Sequence, residues 1–172
     1  MNLTVKISKT IDSAIVPSLG TAESAGADLC TPAAFTIAAG QTRVIDTGLV
    51  MQAPPGFRID IRPRSGLAAK HGLTVLNTPG TIDRDYCGPD DTIKIILHKV
   101  EKTFDPGRNK VKKAFDYSEC AFEPGDRIAQ MVLTPTYHWD WVLEDNPNFA
   151  SVVNRDGLGS TGISSKEQKV NE

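Results

Sequence analysis

A chain of 172 residues, 40% hydrophobic and 23% charged, has the size and balance of one ordinary globular domain. Its formal net charge of -2 provides no overall basic field for nucleic acid, and no apolar run is long enough to span a bilayer as a helix. Cys30, Cys87 and Cys120 form no CxxC pair, and His71, His98 and His138 are scattered. This argues against a disulfide framework or a nitrogen–sulfur metal cage, and any metal is expected to be a hard cation on carboxylates and waters. The opening MNLTVKISKT alternates instead of forming a signal-peptide core, so the protein is expected in the cytoplasm, or in the nucleus of a eukaryote.

In chain order, the sequence predicts a run of short strands. Leu3 to Ile7 alternates, and Arg43 to Val50 is rich in β-branched residues. Phe57, Ile59 and Ile61 alternate with Arg58, Asp60 and Arg62, the pattern of a half-buried strand. Ile93, Ile95 and Leu97 repeat it, and Ile128 to Thr134 and Tyr137 to Leu143 read as two more strands. Turn signals separate them at Pro54-Pro55-Gly56, Pro79-Gly80, Cys87-Gly88-Pro89 and Glu123-Pro124-Gly125-Asp126. Only Ser65 to His71 reads as a helical turn. The expectation is an all-β sandwich or barrel.

Two segments stand apart. His98 to Cys120 carries six Lys/Arg against four Asp/Glu and contains Asp105-Pro106-Gly107, so it reads as an extended hairpin or loop. Asn154 to Glu172 is polar and rich in Gly and Ser, with little to bury, and reads as a flexible tail. The organisation expected is a β domain over 1–153 with an inserted segment at 98–120, followed by a C-terminal arm over 154–172.

Five glycine-punctuated polar segments interrupt the strands. Ser24-Ala25-Gly26-Ala27-Asp28-Leu29 sets a carboxylate among small residues that let a ligand approach. Pro63-Arg64-Ser65-Gly66-Leu67-Ala68 sets a cation and a hydroxyl at a short helical start, an arrangement suited to anions. Asn77 to Gly88 (NTPGTIDRDYCG) would, as a hairpin, offer backbone amides and carbonyls to a flat base, with Asp83 and Tyr86 at the mouth. Pro124-Gly125-Asp126-Arg127-Ile128-Ala129-Gln130 is a turn running into a strand. Asn154 to Gly162 (NRDGLGSTG) places an arginine before a Gly/Ser/Thr loop suited to a phosphate chain. Any one of these could be a turn and nothing more; their order and combination carry the information.

The five segments, above all PRSGLA, GTIDRDYCG and GDRIAQ, resemble the five motifs of the trimeric dUTPase family. The resemblance implies a jelly-roll-like β fold, a homotrimer with active sites at subunit interfaces, and magnesium-assisted hydrolysis of dUTP to dUMP and diphosphate. It implies Asp83 as the base that activates the attacking water, with Gln130 and Arg155 as further catalytic residues. Asp28 would hold magnesium through water. Arg64, Ser65, Gly66 and Gln130 would bind the phosphates, and Arg155, Gly159, Ser160 and Thr161 of the C-terminal arm would clamp them. Asn77, Gly80, Thr81 and Ile82 would read the uracil edge, and Tyr86 would pack under the deoxyribose.

The sequence departs from the family pattern in three places. Leu158 stands where the family carries an aromatic that covers the base, Pro89-Asp90-Asp91 adds residues after the third motif, and 98–120 is longer than a strand connection needs. The basic and aromatic residues Lys112, Lys113, Phe115 and Tyr117 in that insertion suggest a surface for a protein partner. Alternatives are a dCTP deaminase-like enzyme of the same superfamily and a dUTPase-like regulatory protein acting through 98–120. The first is disfavoured by the lack of a glutamate between Asn77 and Asp91.

Overall fold

The structure is a computed structural model that describes residues 3–101 and 118–145. In chain order its elements are β1 (Lys6–Lys9), β2 (Ser18–Leu19), β3 (Gly26–Cys30), β4 (Phe35–Ile37), β5 (Thr42–Asp46) and β6 (Leu49–Gln52). They continue with β7 (Phe57–Arg62), α1 (Ser65–His71), β8 (Leu73–Val75), β9 (Gly80–Ile82), β10 (Lys94–Lys99), β11 (Cys120–Phe122) and β12 (Arg127–Pro135). All of them belong to one unit, residues 1–137; a second unit comprises 138–172. None of the described helices is long and apolar enough to cross a membrane.

The largest sheet has the order β2-β3-β12-β7-β9; the others are β5-β10-β8, β1-β6 and β11-β4. Every pairing is antiparallel. Alternation then sends Ile59 and Ile61 of β7, Ile95 and Leu97 of β10, and Leu29 of β3 into one core, all almost fully buried. Each such side chain contributes about 1.5–3 kcal/mol of burial. Phe35 and Phe122 stack across β4 and β11 with ring centroids 4.8 Å apart.

The predicted run Arg43 to Val50 is two strands, β5 and β6, not one. Gly48 breaks it with φ +65°, and a Cβ there would lie 2.5 Å from Ile11 Cγ1. The corner is tied by Gly48 N donating to Asp46 Oδ1 at 2.8 Å and Thr47 Oγ1 donating to the Ile93 carbonyl at 2.8 Å. The first strand is displaced as well, starting at Lys6 because its partners on β6 are Leu49 to Gln52. Tyr137 to Leu143 is not a strand: Tyr137, Trp139, Trp141, Val142 and Leu143 are all strongly exposed, and the described chain gives them no ladder partner. The helical turn lies where predicted, ending at Gly72 (φ 62°), whose N–H donates to the Ala68 carbonyl. Nearby, the fully buried Lys99 donates from Nζ to the His71 carbonyl at 2.7 Å.

β7 also departs from simple alternation, because Asp60 is only 1% exposed. Arg58 Nε donates to its Oδ1 at 2.9 Å; Arg62 Nη2 and Thr134 Oγ1 donate to its Oδ2 at 3.0 and 2.9 Å. Burial pushes the carboxyl up, but hydrogen bonds from Arg62, Thr134 and Arg58 outweigh it and hold Asp60 below its ordinary value. The unfolded chain therefore binds this proton more readily than the folded one. The resulting stability is complete above the ordinary carboxylate value and is lost as pH falls through the depressed folded value. Asp60→Asn is expected to cost about 1.5–3 kcal/mol at neutral pH, the worth of a hydrogen bond to a charged group. It is also expected to flatten the acid limb of a series of urea midpoints against pH. A variant that keeps the wild-type acid limb would place that limb on other carboxyls.

Candidate active site

Four of the five polar segments lie on or beside the five-stranded sheet. The first runs into β3, the second follows β7 and starts α1, the third includes β9, and the fourth includes β12. Asp28 stands opposite Gln130, which stands opposite Arg62, so three adjacent strands share one row. The second segment leaves the sheet at that same end of β7.

That end holds a cavity of about 240 Å³, lined by Gly20, Ser24, Gly26 and Asp28, by Arg64, Ser65 and Gly66, and by Gln130. Arg64 Nε meets Asp28 Oδ1 at 2.9 Å and Arg127 Nη1 meets Asp28 Oδ2 at 3.3 Å. Arg64 also donates from Nη1 to the Arg127 carbonyl at 3.0 Å. Gln130 Nε2 donates to the Pro63 carbonyl at 2.9 Å, tying β12 to the start of the second segment. Two guanidinium groups against one carboxylate leave the rim positive, which suits an anion. Behind Asp28, burial first and then the Asp28 charge push the Cys30 thiol up, so its sulfur stays protonated.

Sequence reasoning named Arg64, Ser65, Gly66, Asp28 and Gln130 here, and read Ser24 and Gly26 as small residues that let a ligand approach, but gave no role to Arg127 or Gly20. Arg127 reaches Asp28 because the β12–β3 register shifts between Arg127 and Ala129. A bulge re-aims a side chain in this way, and strict alternation cannot foresee it.

The third segment contributes one strand, β9, and does not form a hairpin with β8 just before it. β8 pairs with β10 and β9 with β7, so the chain crosses between two sheets instead of folding back on itself. The Thr78 N–H donates to the Val75 carbonyl at 3.1 Å and turns the crossing. Asn77 folds over Gly80, where a Cβ would come 3.1 Å from Asn77 Nδ2. Thr81 faces Asp60 across the pairing and Ile82 is half-buried. Asp83 is exposed in the turn that follows, and Tyr86 donates from its hydroxyl to the Thr92 carbonyl at 3.4 Å.

One chain does not bring Asp83 to the cavity. Asp83 follows Ile82, which stands opposite Ile59, whereas Gln130 stands opposite Arg62. The offset is roughly 10 Å along the strands and another roughly 10 Å across the sheet. This exceeds hydrogen-bond reach. Arg155, Leu158, Gly159, Ser160 and Thr161 lie outside the described residues, as does most of 98–120. Among the described residues no three His, Cys, Asp or Glu side chains cluster as metal ligands.

The dUTPase family profile matches residues 12–105. A deoxyuridine 5'-triphosphate nucleotidohydrolase of Ehrlichia canis is 38% identical over 151 residues, covering 86% of this chain and 87% of its own. One from Nautilia profundicola is 38% identical over 160 residues, covering 92% and 98%. Among solved structures, the Staphylococcus bacteriophage 80alpha dUTPase with dUPNHPP superposes with a TM-score of 0.69 at 26% identity, over 93% of this chain and 99% of that one.

Proposed function

The chain belongs to the dUTPase family, with the all-β jelly-roll-like fold of that family, and it is a dUTP-hydrolysing enzyme; on that premise we propose how its residues carry out the reaction. The triphosphate lies in the cavity at the end of β7. Arg64 and Ser65 hold its oxygens there, Gln130 holds the α-phosphate region or the attacking water, and Arg155 with Gly159, Ser160 and Thr161 closes over the outer phosphates. The Asp83 carboxylate takes a proton from a water molecule as that water attacks the α-phosphorus. The bond from the α-phosphorus to its bridging oxygen breaks, diphosphate leaves and dUMP remains.

Uracil specificity falls to the third segment. Asn77 and the backbone of Gly80, Thr81 and Ile82 read the base edge. A site closed around the base by this segment would exclude a 5-methyl group, and unpaired polar groups would reject the wrong base. Tyr86 packs under the deoxyribose, where a 2′-hydroxyl would collide. Leu158 covers the base with apolar area but without aromatic stacking.

A magnesium ion fits this donor set. With a single carboxylate at the cavity and no cluster of three ligands among the described residues, the ion would be held by substrate oxygens and waters. Both Asp28 oxygens already accept from arginines, which suits contact through water and not direct ligation. When bound, the ion offsets the negative charge that develops on the phosphates.

The observation that carries the reading is the separation of Asp83 from a positive cavity within one chain. A homotrimer that sets Asp83 of one copy against the cavity of the next supplies the missing proximity, and the arm of a copy completes the site. The exposed apolar run Tyr137 to Leu143 supports such assembly, because a run of this kind marks a surface that another protein covers. We place the enzyme in the cytoplasm. The direct test is diphosphate release with magnesium from dUTP, dTTP, dCTP and UTP. Selective cleavage of dUTP is expected, whereas ammonia release from dCTP would favour the deaminase alternative.

A further inference from the structure

Gly26 is the first residue of β3, opposite Val132 and two residues before Asp28 on the same face of the strand. A glycine at a paired strand position contributes no side-chain packing and often marks a close approach, so its presence there calls for a reason. Backbone conformation is not that reason, since Gly26 is absent from the glycines with positive φ. A close approach is: a Cβ at residue 26 would lie 2.6 Å from Gln130 Oε1 and 3.5 Å from Gln130 Cδ. The nearest backbone atom, the Met131 carbonyl oxygen, is at an ordinary 3.5 Å. The main chain would therefore accept a methyl group here, and the Gln130 carboxamide would not.

The orientation of that carboxamide is fixed chemically. The Pro63 carbonyl can only accept, so the Gln130 atom 2.9 Å away from it is the nitrogen. Oε1 is then the end that lies over Gly26, on the cavity side of the sheet, where Gly26 and Gln130 both line the wall. A bare backbone at residue 26 allows the side chain to lie flat on β3 with its acceptor oxygen at the cavity.

We propose that Gly26 is a positioning residue for the reaction: its missing side chain seats the Gln130 carboxamide with Oε1 on the cavity side, where this acceptor takes a hydrogen bond from the attacking water and not from the phosphate oxygens. The proposal rests on the reading of Gln130 as part of the catalytic site. A Cβ at residue 26 drives the tip of Gln130 off its seat or breaks its bond to Pro63. Displacement of a catalytic group by about 1 Å costs on the order of 100-fold in rate.

A double-mutant cycle on the full-length enzyme tests it, with kcat, KM and melting temperature measured for Gly26→Ala, Gln130→Ala and the double variant. Gly26→Ala is expected to lower kcat by about 100-fold with little change in KM and no fall in melting temperature. In the Gln130→Ala background the same substitution is expected to change kcat by less than about two-fold, because the group it displaces is gone. An equal loss in both backgrounds would overturn the proposal. If Gly26→Ala alone lowers the melting temperature, Gln130→Ala should restore it, and failure to do so would show that the methyl clashes elsewhere. Full activity in Gln130→Ala would remove the role of Gln130, and with it the proposal. That outcome is distinct from an active Gly26→Ala enzyme whose Gln130→Ala counterpart is impaired, which removes the role of Gly26 alone.

Discussion

Asp83→Asn is expected to lower the rate of dUTP hydrolysis by about 10²–10⁴-fold while leaving the fold intact. Asparagine keeps the shape of the side chain and removes the basic oxygen that takes the proton from water. The fold has little reason to respond. Asp83 is exposed in the turn after β9, and the contact recorded for it is its main-chain carbonyl accepting from the Tyr86 N–H at 3.2 Å. Substrate affinity should change far less than kcat, since the carboxylate acts on the water and not on the base or sugar. Initial rates of diphosphate release, with binding of a non-hydrolysable dUTP analogue measured in parallel, separate the two effects. Wild-type turnover in the variant would move the base to another group.

Two inactive chains are expected to make an active enzyme when mixed. One carries Asp83→Asn; the other carries Ser65→Ala with Gln130→Ala. A site that draws Asp83 from one copy and the cavity from the next is whole only when the second chain supplies the aspartate and the first the cavity. Random assembly from equal amounts meets that condition at roughly a quarter of the sites, so about a quarter of wild-type activity should appear from almost none. Co-refolding the two chains, followed by rate measurement and native mass, provides the readout. Activity that stays at the level of the separate parents would mean that each chain completes its own site. The long offset between Asp83 and Gln130 on the described sheet would then have to close within one protomer.

Much of the site was legible because its chemistry is local. PRSGLA reads as an anion-binding corner through residue type, the resemblance adds Gln130 of GDRIAQ, and the structure brings Arg64, Ser65 and Gln130 to one cavity. The helical turn from Ser65 to His71 was equally local, closed by Gly72 at the one backbone conformation there that favours glycine. Where the reading failed, a partner distant in sequence decided the outcome. The strand predicted over Arg43 to Val50 splits at Gly48, whose left-handed backbone lies where Ile11 and Ala14 leave no room for a Cβ. The third motif holds a single strand, β9, which pairs with β7, while β8 just before it pairs with β10 in another sheet, so the two are not a hairpin. Asp60 looked like the polar face of an alternating strand and is instead buried beneath Arg58, Arg62 and Thr134.

The sequence by itself determined the β character, the helical turn and the identity of the polar segments, since alternation, glycine placement and side-chain chemistry act over a few neighbouring residues. Only the tertiary structure decided which segments meet. The bulge that turns Arg127 onto Asp28, the contact that makes Gly26 matter to Gln130 and the distance that parts Asp83 from the cavity all depend on strand register. A strand's own pattern decides which side chains face the core, but which distant strand it pairs with, and where a bulge shifts that pairing, is settled only when the strands meet.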